Sequence, residues 1–363
     1  MFQVVRTMHR FFADRGQNHH CERGGEMRAI KISVRACESA GRLIGVLSVF
    51  CMLTGAMAAR AAEMPLVRAN YAAISGAFAP LWIATEKGLF TKHGLNVDLR
   101  YIAPATATQA LLAKNLDIIN PGGEIVEAGL NGEPVVFIAG ILNRAVMSIY
   151  AKPEINSMSD LKGKVLGVTV PGATTDFAAR VLLQQSGLAP GKDVKLLYLR
   201  GMPEILAGIN QGNAVAGIFT APTTLKARAA GLKELVNVTE QNIPMIHAAL
   251  ATTRDYLKTH PDPTRRFLQA YLEGIKIALT DAEFTKQMIG KYTKTTDPKD
   301  LESSYQAFLP AWERLPIVPA AAVQTMLNFA SHSGAKAAKP EFLIDNSVLT
   351  EIDKSGFVDK LYK

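Results

Sequence analysis

Cysteine is nearly missing from this chain, occurring only at positions 21, 37 and 51 of 363 residues. Beyond Cys51 there is none, so over the remaining length disulfides, thiolate metal sites and cysteine nucleophiles are excluded together. Histidine is sparse as well. Past residue 61 only His93, His247, His260 and His332 occur, and no two stand at the spacing of a helical ligand pair, so no metal is expected. There is no Walker loop, no G-x-G-x-x-G and no G-x-S-x-G. Nucleotide binding and nucleophile-elbow hydrolysis therefore lack a motif, and no cofactor is expected. A basic excess is missing too. The chain carries +8 overall, but 31 of its 40 basic and 28 of its 32 acidic residues lie beyond residue 61, leaving only +3 there and no long basic run. That removes the electrostatic footprint of a nucleic-acid partner.

What is present begins with an address. From Met27 the order is basic (Arg28, Lys31, Arg35, Arg42), then apolar over residues 43–57, then small around Ala59-Arg60-Ala61. This is the pattern of a secretory signal, with cleavage expected after Ala61. The apolar run of 15 residues is shorter than the ~20 needed to span a bilayer. Residues 1–26 are polar, which suggests that translation starts at Met27. Cys51 follows Phe50 in the middle of the apolar run, unlike a lipoprotein cysteine, so a soluble periplasmic product is expected.

The whole chain is 48% hydrophobic and 20% charged, an ordinary globular balance that allows about two domains at ~150 residues each. Short β-rich runs alternate with helical patterns: LVRANYA (66–72), NVDLRYI (96–102) and LDIIN (116–120), with helices from about Pro80, over 106–114 and over 124–130. Two apolar runs follow, VVFIAGI (135–141) and VMSIYA (146–151). The alternation then restarts with VLGVTV (165–170), VKLLYL (194–199), AVAGIF (214–219) and ELVNV (234–238) and the helices between them. This is α/β order with two lobes. After IHAALATT (246–253) the chain is mostly helical. The economical division places residues 62–149 and 250–363 in lobe one and 150–249 in lobe two, with crossovers near 148–153 and 243–250 acting as a hinge.

In open α/β sheets ligands bind outside the carboxyl ends of strands. Five loops are candidates there. Ser75-Gly76-Ala77-Phe78 offers close backbone approach and an aromatic face, or simply a turn with a core Phe. Gly122-Gly123-Glu124 opens a helix, where a carboxylate is stabilised by the dipole whether or not it meets a ligand amine. Asn143 and Arg144 lie between apolar runs, the arginine either clamping an anion or bracing the hinge. Gly172-Ala173-Thr174-Thr175 opens an amphipathic helix whose free N–H groups suit a sulfonate, carboxylate or phosphate, although either threonine could be a plain N-cap. The fifth is Arg200-Gly201-Met202-Pro203, joined by Thr220 after the next strand.

SGAFAPLWIATEKGLF (75–90), HGLNVDL (93–99), DLKGKVLGV (160–168), DFAARVLL (176–183), TTRDYLKTHPDPTRRFLQAYLEGI (252–275) and FLIDNSVLTEIDKSGFVDKLYK (342–363) resemble the nitrate/sulfonate/taurine (NitT/TauT) type of substrate-binding protein from ABC importers. The resemblance implies a two-lobed type II periplasmic-binding-protein fold, each lobe a mixed sheet flanked by helices, with the ligand cleft between lobes. It implies a monomer that closes over a small solute and delivers it to a membrane permease and its ATPase, without catalysis. Family ligand contacts would fall on Ser75, Gly76, Phe78, Gly122, Gly123, Glu124, Asn143, Gly172, Ala173, Thr174, Thr175 and Thr220. Arg200 and Glu124 depart from the family pattern and leave the solute open. The alternative is an enzyme on the same fold, dehydratase-like or resembling a thiamine-pyrimidine synthase, for which only Glu124 and Asp176 are placed as acid and base.

Overall fold

Alternation of inward Val67 and Ala69 with more open neighbours makes Leu66–Tyr71 the first strand, β1. The computed structural model describes residues 63–241, 243–330 and 332–363, so the signal-like segment lies outside the described residues. Along the chain follow α1 (Ala79–Glu86), α2 (Leu89–Lys92), β2 (Asn96–Tyr101), α3 (Pro104–Leu112), α4 (Glu124–Leu130), β3 (Val135–Arg144) and β4 (Ser148–Ala151). Next come β5 (Val165–Val168), α5 (Thr174–Gln185), β6 (Lys195–Tyr198), α6 (Met202–Asn210), β7 (Ala216–Phe219), α7 (Thr223–Ala229), β8 (Lys233–Asn237) and β9 (Pro244–Thr253). The C-terminal part is helical: α8 (Arg254–Thr259), α9 (Pro261–Thr280), α10 (Ala282–Thr293), α11 (Pro298–Phe308), α12 (Ala320–Phe329), α13 (Ser347–Lys354) and α14 (Phe357–Leu361).

The strands form three groups. β1 and β2 pair in parallel with Val67 opposite Val97. β3 and β9 pair antiparallel, with three irregularities in register. The third group is a mixed five-stranded sheet in the order β6-β5-β7-β4-β8, in which β6, β5 and β7 run parallel and β4 is antiparallel to both neighbours. The run expected as a strand at 116–120 is reduced to single bridges, Ile118 to Ala69 and Ile119 to Ala251. Those two bridges tie β1 to β9. The carboxyl ends of β5, β6 and β7 all lead into helices at the same end of the sheet.

Two large apolar cores hold the elements. The first surrounds α1 and α9, where Trp82, Phe267, Tyr271 and Phe308 are buried together. On α9 the buried positions Phe267, Leu268, Tyr271, Leu272 and Ile275 recur at helical spacing, and Pro261 in its first turn fits a place where a backbone N–H has no helical partner. The second core is continuous from the β3–β9 pair into the five-stranded sheet, through Phe137, Ala251, Ile149, Leu166, Phe177 and Val323.

Candidate functional site

Ser75, just past β1, accepts a hydrogen bond from Ala77 N at 3.4 Å and lies 3.5 Å from the Thr220 hydroxyl, which follows β7. Both residues are buried, at 4% and 3% exposure. Thr220 directs its N–H and hydroxyl at Met202 Sδ, at 3.2 and 3.3 Å. Gly76 packs against the Phe308 ring. Phe78 is 3% exposed, and its ring clusters with Tyr71 and Trp82 at centroid distances of 6.3 and 6.4 Å. Trp312 Nε1 donates to Ala77 O at 3.4 Å, bringing the segment after α11 against this turn.

A second meeting joins the loops before α4 and α5. Gly123 N donates to Gly172 O at 2.8 Å. A Cβ on Gly123 would stand 2.0 Å from that oxygen and 2.2 Å from the Phe177 ring, so only glycine permits the approach. Glu124 turns back on its own loop, its Oε1 accepting from Gly122 N at 2.8 Å and from the Thr108 hydroxyl at 3.1 Å.

At the start of α5 neither threonine is the cap, since Ala173 holds that place without a side-chain bond. Thr175 Oγ1 accepts from Thr169 N at 3.0 Å and lies 2.6 Å from the Thr169 hydroxyl, while the Thr174 hydroxyl donates to His247 O at 3.0 Å. Asp176 accepts from Gly172 N, from Arg180 Nε and from the Tyr198 hydroxyl, at 2.9, 3.0 and 3.1 Å. Burial and the Asp176 charge raise the Tyr198 pKa above the usual phenol range. The backbone N–H groups of Thr174, Thr175 and Asp176 carry no hydrogen bond among the described residues. They form the electropositive end of a 12-residue helix.

Asn143 and Arg144, expected in a loop, are instead the bulged end of β3. Asn143 Nδ2 donates to Glu313 Oε2 at 3.2 Å and to Ile317 O at 2.8 Å. The carboxamide lies over Gly140, where a Cβ would meet Asn143 Oδ1 at 2.0 Å. The Arg144 guanidinium is bonded to Pro310 O, and Arg200 is exposed. Partial desolvation raises the Glu313 pKa above the usual carboxylate range, against the Asn143 bond and the Arg144 charge. Glu313 escaped sequence reading because it follows a helix in the C-terminal part rather than a strand. Only the neighbouring Trp312, one of two tryptophans in the chain, marks the segment.

His247 on β9 gathers the chain crossings. Its Nδ1 accepts from Val146 N at 2.9 Å, and its carbonyl takes the Thr174 hydroxyl. Burial lowers its pKa to about 4, so the ring is neutral at pH 7 with its proton on Nε2. Among the described residues no group of His, Asp and Glu could hold a metal. No described helix is long and apolar enough to cross a membrane.

Residues 75–284 match the NMT1/THI5-like family profile, more than half of the chain. The chain belongs to the NMT1/THI5-like family. A provisionally named binding protein of Brucella abortus (strain 2308) is 27% identical to this NMT1/THI5-like chain over 61% of its length and 69% of the relative's. The periplasmic aliphatic sulphonate binding protein SsuA from Escherichia coli superposes with a TM-score of 0.60 at 18% identity, covering 73% of this chain and 90% of that one. The periplasmic nitrate-binding protein NrtA from Synechocystis PCC 6803 gives 0.64 at 14% identity, covering 81% and 89%. The α/β fold, with mixed sheets flanked by helices, is thus that of periplasmic binding proteins. The matched stretch of this NMT1/THI5-like chain opens at Ser75 and contains both loop meetings and His247. Glu313 falls outside it.

Proposed function

We propose that this chain is the solute-binding component of an ABC importer, exported to the periplasm with its signal removed near Ala61. In this reading a monomer captures a small anionic or zwitterionic solute and passes it to a permease and its ATPase, without catalysis. Lobe one comprises 62–149 and 250–363 and lobe two 150–249, and the solute contacts Ser75, Gly76, Phe78, Gly122, Gly123, Glu124, Asn143, the Gly172 to Thr175 helix start and Thr220. The observation that carries the reading is the pair of contacts Ser75 to Thr220 and Gly123 to Gly172. Each joins a loop near the first strands to a loop of the five-stranded sheet, as closure over a solute requires. The uncapped start of α5 supplies three free N–H groups beside them, a ready anion seat.

Mature protein beginning at Ala62 should be screened by thermal shift against sulfonates, nitrate, aromatic carboxylates, amino-sulfonates and pyrimidines. A true ligand at 100 times its Kd should stabilise by about 2.7 kcal/mol, which raises Tm by about 4 °C for a chain of about 300 residues unfolding with about 2.1 cal/mol/K per residue. A panel with no stabilising member in any class would contradict the reading.

A further inference from the structure

The contact from Gly123 N to Gly172 O depends on how the turn that carries Gly172 is set. That turn is closed by Ala173 N donating to Val170 O at 3.1 Å, with Pro171 second and Gly172 third. Gly172 has a φ of +75°, as the third residue of a type II turn requires. A proline in second place accepts type I equally well, and the two forms differ by a flip of the peptide between Pro171 and Gly172. The turn sequence alone therefore leaves the choice open. One side chain closes it: the Gly172 N–H donates to Asp176 Oδ2 at 2.9 Å.

Asp176 is itself locked. It is 3% exposed, and its Oδ1 accepts from Arg180 Nε at 3.0 Å and from the Tyr198 hydroxyl at 3.1 Å. The Tyr198 oxygen accepts in turn from Arg180 at 2.9 Å, so two residues of α5 and one at the end of β6 close a triangle that leaves Oδ2 for Gly172. The guanidinium offsets the cost of burying the carboxylate, and bonds to a charged acceptor are the strong ones. An acid in the first turn of a helix gains from the dipole wherever it points. This one points back at the loop, at the residue whose carbonyl meets Gly123.

We propose that Asp176 is a positioning residue of the site, holding the Gly172 turn in the form that carries its carbonyl to Gly123, with Arg180 and Tyr198 fixing the carboxylate. The inference rests on the solute-binding reading and adds to it a residue that acts on closure without touching the solute. Asp176→Asn is the discriminating change because it keeps the shape of the side chain. Its one oxygen can retain the Arg180 and Tyr198 donors, but its amide group then faces the Gly172 N–H, donor against donor.

The test is amide hydrogen exchange followed by NMR on mature protein without solute. An empty solute panel would sink the solute-binding reading and leave this result standing. In Asp176→Asn the Gly123 N–H should exchange about tenfold or more faster than in the parent. The Ile119 N–H, four residues earlier and bonded to Ala251 O at 2.8 Å, should keep its rate. Should that variant fail to fold, Arg180→Gln gives the same reading at a side chain that is 33% exposed: with the triangle unlocked, Gly123 should exchange about threefold or more faster, again with Ile119 unchanged. Parental protection of Gly123 in the variant that folds, or equal acceleration of Gly123 and Ile119, would overturn the inference, since a carboxylate that only stabilises the helix start would leave the facing loop untouched or loosen both together.

Discussion

Gly123→Ala is expected to weaken binding of any solute found in the panel by roughly 5- to 150-fold, corresponding to about 1–3 kcal/mol of overpacking. The added methyl would sit 2.0 Å from Gly172 O and 2.2 Å from Phe177. The backbone oxygen belongs to the loop that opens α5, so it cannot rotate aside as a long side chain would. The two loops must separate, and the 2.8 Å bond from Gly123 N is lost with them. Because the contact joins the two sides of the proposed cleft, most of the cost should fall on closure. Calorimetry and thermal melting on the same variant separate the effects: binding should fall by more than the stability of the ligand-free protein. Full affinity with an early melt would mean that this contact is ordinary core.

The second large effect is acid sensitivity centred on His247. Its pKa is lowered to about 4 by burial from an ordinary value near 6.5. A lowered folded-state pKa means that the unfolded chain takes up the proton first, so the stabilisation is complete above about pH 6.5 and is lost as pH falls toward 4. At ~1.36 kcal/mol per pH unit the loss is on the order of 3 kcal/mol across that window. Protonation also removes the acceptor for Val146 N–H, which loosens the crossing between β3 and β4. Carboxylates held low, such as Glu86 bonded by Lys291 and Tyr292, act at more acid pH, whereas Glu313, held high by desolvation, adds a slope of the opposite sign that parent and variant share. His247→Asn retains an acceptor near the Nδ1 position and cannot titrate. Denaturant unfolding from pH 7.5 to 4.5 should show a steeper fall toward acid in the parent than in the variant. Parallel slopes would exclude His247 as the source.

Most of the architecture was legible because it rests on local periodicity. The β-rich runs at 66–72, 96–102, 165–170 and 234–238 became strands within a residue or two, as did the helices opening at Glu124 and near Thr174. LDIIN has the apolar pattern of a full buried strand. Its bonding is instead divided between two partners, one bridge to Ala69 and one to Ala251, which no local pattern records. Asn143 carries the signal of a loop because polar side chains interrupt an apolar run there. In the fold, bulges let β3 continue through it while its amide turns toward the C-terminal segment. The paired glycines at 122 and 123 announced a close approach, but not that the approaching group would be Gly172. Glu313 and His247 were missed as partners for a single physical reason. Their roles come from contacts with residues 170 and 101 positions away, and such contacts leave no trace in spacing.

The central claim, that the chain closes over a solute without transforming it, is tested most directly by following one bound molecule. The best ligand from the panel should be titrated into mature protein, held at saturation for hours, released by denaturation and identified by mass spectrometry alongside the binding stoichiometry. One molecule per chain, recovered chemically unchanged, is the expected result. A product that accumulates with time would show that the fold serves catalysis here, and would contradict the account.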